Sequence, residues 1–381
     1  MPHPGFKEME RAYGFDEVAL VPGDVTINPD QVNTDFVVGN HTFSIPILAS
    51  AMDAIVDPAF AIELSKLGGL AVLNLEGIHT RYERPGEVLD QITGAPEREV
   101  TSLLQRIYSE PIKEKLIGQR ISVIKQAGAI CAVSMTPANT KRLAPIAKDA
   151  GIDILVVQST VTTARHISKS YRGLILPELC QQMSLPIIVG NCCTYDSALE
   201  LMRAGIDGVL VGVGPGAACT TREVIGVGVP QVTATLACAA ARETYLNESG
   251  KYVSVITDGG IRTGGDLCKA FASGADAVMI GSPLAQATEA PGRGYHWGMS
   301  HPHPTLPRGT RVRVGTTAPL EQILLGPTSV TDGTQNLAGA LRTGMGVCSA
   351  RNIKEMHNVK MVIAPSIKTE GKHFQAIQNV P

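Results

Sequence analysis

Eight short apolar, β-branched runs alternating with amphipathic stretches predict a single α/β chain folded as a (β/α)8 TIM barrel. The runs are Ile45–Ala49, Leu70–Leu73, Ala129–Val133, Ile154–Val157, Pro186–Val189, Gly208–Val211, Val253–Ile256 and Ala277–Ile280. Between them, Pro58–Leu67, Ala138–Ala150, Ser197–Ala204 and Gly265–Ser273 show helical apolar spacing. Three junctions, Ala150-Gly-Ile-Asp153, Ala204-Gly-Ile-Asp207 and Gly274-Ala-Asp276, each read as a helix end followed by a strand start. No linker divides the chain, so one catalytic domain over residues 1–381 is expected. A doubly wound open sheet is the alternative arrangement.

In such a barrel the reactive residues sit on the loops that follow the strands. The first strand is followed by Ser50, Met52 and Asp53, the fourth by Gln158, Ser159 and Thr160, and the fifth by Asn191. The sixth leads into Gly214-Pro-Gly-Ala-Ala-Cys219-Thr-Thr221. Two glycines and a proline allow backbone shapes that helix and strand refuse, and a thiol fixed there is a candidate nucleophile. The other reading of this loop is a tight turn ending in a buried, inert cysteine.

The seventh strand runs into Asp258-Gly-Gly260 and the eighth into Gly281-Ser282. Barrels commonly bind phosphate on these two loops, which here offer backbone amides and a hydroxyl. A carboxylate such as Asp258 suits two sugar hydroxyls better than an anion, so the mix fits a nucleoside monophosphate. The alternative is that the glycines only close turns. Gly212-x-Gly214-x-Gly216 lacks the spacing of a dinucleotide fingerprint. His301-Pro-His303 is expected to be solvated rather than metal-bound.

Two stretches break the regular spacing. Residues 81–120 form a charged, helical, partly exposed connection between the second and third strands. Beyond the eighth strand, residues 295–325 are expected to form a mobile flap, rich in Pro and His from Tyr295 to Pro307, followed by a tail. Apolar residues make up 44% of the 381, enough for a large core, whereas 4% aromatics and a net charge of −2 speak against a nucleic-acid surface. No apolar run reaches membrane-span length, and the start lacks the apolar core of a signal peptide. Eight cysteines form no CxxC pair or zinc spacing, so a reduced, cytoplasmic protein is expected.

Taken in order, nine segments closely resemble the IMP dehydrogenase/GMP reductase family over nearly the whole chain. They are Phe15-Asp-Glu-Val-Ala-Leu-Val-Pro22, Ala49-Ser-Ala-Met-Asp53, Gly68-Gly69, the Gly214 to Thr221 loop, Gly228-Val-Pro-Gln-Val-Thr233, Asp258-Gly-Gly-Ile261, Val278-Met-Ile-Gly-Ser282, Thr288-Glu-Ala-Pro-Gly292 and Gly298-Met-Ser300. The resemblance implies a short member, because family dehydrogenases usually insert regulatory CBS modules where this chain has only residues 81–120.

The same resemblance implies roles for single residues. Cys219 matches the nucleophile, and Thr221 matches the threonine of the hydrolytic or deaminating machinery. Ser50, Met52, Gly216, Asp258, Gly260, Gly281, Ser282, His296, Gly298 and Met299 are implied around the purine nucleotide. Among these, Asp258 takes the ribose diol, Ser282 the phosphate and Met299 the base. Gln158, Ser159, Asn191 and Gly212 are implied near the nicotinamide of NAD. Gly214, Gly216 and the Cys219 carbonyl match a potassium (K+) loop that Glu370 and Gly371 of a neighbouring subunit complete, which implies a homotetramer or octamer. Lys372 stands where a second glycine is expected.

The implied reaction is oxidation of IMP to XMP with NAD, through a Cys219 adduct that water hydrolyses. The base is expected on the flap, at Arg308 or Arg311, with Arg313 a further candidate. Three positions depart from the family pattern: Gln158 replaces an acid, Leu210 a basic residue, and Val314 stands where dehydrogenases tend to carry Gln and reductases Glu. The absent Glu counts against NADPH-dependent GMP reductase, the main alternative, whose Cys219-Thr-Thr-Arg222 pattern the chain shares. A purine-nucleotide sensor without turnover and an FMN-dependent barrel are further alternatives. Neither accounts for a positioned thiol.

Overall fold

The computed structural model describes residues 9–167, 173–299 and 302–365. Eight parallel strands close a barrel, each paired with its neighbours in sequence and the last with the first. They are β1 Ile47–Ala49, β2 Leu70–Asn74, β3 Ala132–Met135, β4 Ile154–Gln158, β5 Ile187–Cys192, β6 Gly208–Val211, β7 Ser254–Asp258 and β8 Ala277–Ile280. Every strand read from the sequence is present. The third begins at Ala132 rather than Ala129, and the Cys131 amide just before it donates to the Asp153 carboxylate at 2.7 Å.

The strands alternate their side chains as a pleat requires. Leu48, Val72, Ile154, Val156, Ile188, Leu210, Ile256 and Met279 point inward and fill the barrel. Ala49, Leu73, Leu155, Val157, Val189, Val209, Val255 and Val278 face the surrounding helices. Both faces are apolar, which is why the runs read as continuous rather than alternating. A hairpin, Phe36–Val38 with His41–Phe43, plugs the amino-terminal end of the barrel. Its Val37 carbonyl accepts from Ser254 Oγ at 3.0 Å at the start of β7.

The three repeated junctions share one physical device. Asp153, Asp207 and Asp276 each precede an even-numbered strand and reach back to the strand before it. Their carboxylates accept the backbone N–H of Cys131, Ile187 and Val255 at 2.7, 2.9 and 2.8 Å. Each own N–H returns a bond to the carbonyl of the same residue. Each carboxylate also pairs with a cation, Lys125, Lys251 and Arg242 in turn.

Besides the short helix Ile78–Arg81, three helices run between β2 and β3, Pro85–Gly94, Glu97–Ser109 and Glu114–Gln126, in the stretch expected to be helical. The first two enclose an apolar cluster of their own that includes Ile92, Leu104 and Tyr108 and takes in Trp297 from beyond β8. Among the described residues, no helix is long and apolar enough to cross a membrane.

Candidate active site

The carboxyl ends of the strands converge on a cavity of about 590 Å³. Every residue expected around the nucleotide and the nicotinamide borders it, from Ser50 and Met52 after β1 to Gly298 and Met299 beyond β8. Cys219 and Arg308 border it as well. Thr221 is fully buried behind the wall, and Arg311 points elsewhere.

The loop after β6 is shaped to present Cys219. Gly212 has φ 144°, and a Cβ there would lie 2.4 Å from the Asp258 carbonyl, so no other residue fits. Arg222 folds back under the loop and donates to the carbonyls of Val213 at 3.1 Å and Val229 at 2.7 Å. The Cys219 amide closes a turn on the Gly216 carbonyl. With its backbone fixed, the Cys219 thiol donates to Thr221 Oγ1 at 3.1 Å. None of the eight cysteines is in a disulfide.

Asp258 ends β7. Its Oδ2 accepts from Gln158 Nε2 at 2.9 Å and from Asn191 Nδ2 at 2.8 Å. Burial pushes the carboxyl up to about 6, and the two amide donors hold it from rising further. The amide at position 158 thus donates to Asp258. Gln158 Oε1 is buried without a partner, an acceptor left over for a ligand.

Gly259 and Gly260, with φ 83° and 80°, turn the chain after β7 in the left-handed region. Side chains there would crowd Pro215, so backbone lines this part of the cavity. Across from them, Ser282 Oγ lies 2.9 Å from His296 Nε2. Burial pushes His296 down to about 4, so the ring is neutral near pH 7. His296 Nδ1 has no partner. The tautomer with its proton on Nε2 is therefore the satisfied one, and it leaves the Ser282 proton free for a phosphate oxygen.

The flap strand lies across the nucleophile loop. Gly309 bridges Cys219 in antiparallel fashion. Thr310 N–H donates to the Ala218 carbonyl at 3.0 Å, and Thr220 N–H to the Arg308 carbonyl at 3.3 Å. Arg308 thus stands in the cavity. Arg311, the other expected base, does not: its guanidinium is buried against Ile92, Thr93 and Glu97 and stacks 4.7 Å over Tyr295. Its side chain is 5% exposed and already committed, so it has no path to a water beside Cys219. Arg313 is exposed, and Val314 is tied by its N–H to the Gly294 carbonyl, away from the cavity. Among the described residues, the flap brings no carboxylate to the cavity wall.

Gln231 was not singled out by the sequence, yet it is 3% exposed and its Nε2 bridges the carbonyls of Val211 and Asp258 at 2.8 Å each. Its only signal was membership of the Gly228 to Thr233 segment. Phe15, Asp16 and Arg262 also reach the cavity rim, where Arg262 pairs with Asp16 at 2.8 Å. Of the loop expected to take potassium, the Gly216 carbonyl accepts from the Cys219 amide, and the Arg222 side chain packs against Gly214. Glu370 and Gly371 lie outside the described residues, as does His301. His303 is exposed and its Nδ1 accepts from the Thr305 amide. Among the described residues, no group of three His, Cys, Asp or Glu is placed to hold a metal.

The family model for the IMP dehydrogenase/GMP reductase domain matches residues 12–300. A Mycobacterium leprae protein named as an uncharacterized oxidoreductase is 39% identical over 93% of this chain and 97% of its own length. The inosine-5'-monophosphate dehydrogenase of Cryptosporidium parvum is 30% identical over 76% of this chain and 71% of its own. The crystal structure of an IMP dehydrogenase/GMP reductase-like protein from Corynebacterium glutamicum superposes with a TM-score of 0.89 at 35% identity, covering 94% of this chain and 95% of that one. The barrel, the thiol loop and these likenesses agree: the chain belongs to the IMP dehydrogenase/GMP reductase family.

Proposed function

We propose that the protein is an IMP dehydrogenase, oxidising IMP to XMP with NAD. One observation carries the reading: Cys219 is hydrogen bonded to Thr221 and faces a flap that supplies Arg308 and no acid. The Cys219 sulfur bonds to purine carbon 2 and gives up its proton through Thr221, which becomes the proton released overall. Bound NAD supplies the hydride acceptor. Asn191 and the unpaired Gln158 Oε1 suit the carboxamide and ribose of a nicotinamide. In the second half, Arg308 orients a water at carbon 2. Water oxygen bonds there, the carbon–sulfur bond breaks, and Thr221 relays a water proton to the departing sulfur. Asp258 holds the ribose diol, and Ser282 with the Gly260 and Gly281 backbone holds the phosphate.

GMP reductase is the second reading, favoured by the Cys219-Thr-Thr-Arg222 run. Deamination is expected to use an acid beside the threonine, which the described flap does not offer. Purified protein incubated with IMP and NAD should form XMP, with a Cys219 adduct trapped by mass spectrometry and absent in Cys219→Ser. Ammonia release from GMP with NADPH, and no XMP from IMP, would reverse the choice.

A further inference from the structure

Gln231 opens the helix Gln231–Ser249 at the place where β6 and β7 part. The last ladder pair between those strands is Val211 with Thr257. Beyond it, the Gly212 N–H turns to the Cys192 carbonyl on β5 at 2.8 Å, and the Gly259 N–H to the Met279 carbonyl on β8 at 3.0 Å. Gln231 Nε2 stands across this parting and donates one N–H to each strand end, the Val211 and the Asp258 carbonyls. The backbone behind the amide is fixed as well. Thr235, one turn on, donates from Oγ1 to the Gln231 carbonyl at 2.8 Å and lies 2.8 Å from Thr257 Oγ1 on β7. Both threonines are fully buried, so the first turn of the helix is pinned to the barrel. A Cβ at Gly212 would lie 2.6 Å from Gln231 Nε2, so the amide packs on the backbone that leads to Cys219. Gln231 Oε1 is buried and has no partner among the described residues. The side chain is therefore placed for its two donors.

What Gln231 joins are the two halves of the site. The Cys219 loop leaves from β6, whereas Asp258 and the Gly259-Gly260 turn belong to β7. We propose that Gln231 is a positioning residue that sets the spacing between Asp258 and Cys219, and so the distance from the sulfur to the purine of a nucleotide held by its ribose and phosphate. Without the amide bridge the nucleotide still binds through the β7 and β8 side, but the sulfur no longer meets carbon 2. A misplacement of about 1 Å at a reacting atom costs about 100-fold in rate. The consequence for turnover rests on the dehydrogenase reading; the spacing rests only on a nucleotide held at Asp258.

Gln231→Met keeps the length of the side chain and removes both donors, and Gln231→Glu keeps its shape but turns an acceptor on two carbonyls. In Gln231→Met, the Kd for IMP by calorimetry should stay within about 3-fold of wild type, while first-turnover NADH formation with NAD falls about 30- to 100-fold. The Cys219 adduct, followed by mass spectrometry, should form at the same lowered rate. Gln231→Glu should lose more. Thr235→Val loosens the helix turn without touching the amide; it should slow the first turnover about 3-fold, and it tests the spacing even where the Gln231 variants do not fold. Iodoacetamide reads the spacing without turnover: saturating IMP should shield Cys219 about 10-fold or more in wild type and about 3-fold or less in Gln231→Met. A rise in Kd that matches the fall in first-turnover rate overturns the proposal, because the amide then builds the binding site and not its spacing. An unchanged first turnover in Gln231→Met, or in Thr235→Val where the former does not fold, overturns it too. Wild-type protein that binds IMP or GMP but forms no adduct removes the dehydrogenase reading instead, and shielding of Cys219 by the nucleotide that binds then decides the spacing. Binding of neither nucleotide overturns both.

Discussion

Asp258 gives the site its pH signature. Burial holds its carboxyl near 6, so below that pH the protonated form prevails and the acceptor proposed for the ribose diol is weakened. Nucleotide binding then strengthens as pH rises through about 6. His296, pushed down to about 4, stays neutral across this window and adds no second step. kcat/KM for IMP should therefore fall about tenfold per unit below pH 6. Asp258→Asn should flatten that limb and lower kcat/KM at pH 8 by about 10- to 100-fold, since hydrogen bonds to a charged group are worth about 1.5–3 kcal/mol. A limb that survives the substitution assigns the titration to another group. The meeting of Cys219, Asp258 and Ser282 at one cavity is legible in the sequence, because each directly follows a strand whose order fixes its place. The direction of Arg311 is not. Arginine is long, and what captures it is a pair of helix ends more than 200 positions away in the chain.

At the scale of the element, a side chain braces the Cys219 loop. Arg222 replaces the ladder partners that the loop lacks, filling the carbonyls of Val213 and Val229. Arg222→Met keeps the bulk and removes both bonds. It should cut kcat about 100-fold, the scale at which a misplacement of about 1 Å costs a reaction. KM for IMP should move little, because the phosphate and diol contacts proposed above come from the loops after β7 and β8. Equal changes in KM and kcat would mean that the loop binds rather than reacts. Glycine content marks this stretch as a special loop, but no spacing rule says which residue supports it. The same limit applies at β3: a continuous apolar run does not tell a buried approach from a strand.

Across the whole molecule, stability and chemistry occupy opposite ends of the barrel. Asp153, Asp207 and Asp276 tie successive strand pairs at the amino-terminal face, one device used three times, and none borders the cavity. The repeats are visible in the sequence as Gly-Ile-Asp and Gly-Ala-Asp junctions; their partners are not, because Lys125 and Arg242 come from two different helices and Lys251 from the loop before β7. The environments differ in a way that ranks them. Lys125 and Lys251 are 36% and 40% exposed, so loss of their acid leaves a cation that water solvates. Arg242 is 3% exposed, stacks 5.1 Å over Tyr252 and pairs with buried Asp276 and with exposed Glu243. Asp153→Ala and Asp207→Ala should each cost about 1–3 kcal/mol from the unpaired backbone N–H. Asp276→Ala should cost about 3–5 kcal/mol, because it also removes a buried partner of Arg242, which keeps Glu243 and the Gly274 carbonyl, and the acceptor of the Tyr252 hydroxyl. Urea midpoints at constant m-value read the order, and the Asp153→Ala, Asp207→Ala double variant should be additive within about 0.5 kcal/mol if the junctions act independently. Activity per folded molecule should be unchanged in all of them. Three equal costs would mean that the backbone bond alone matters and that the Arg242 pair is neutral, and a loss of turnover in any variant would show that the two ends of the barrel are coupled.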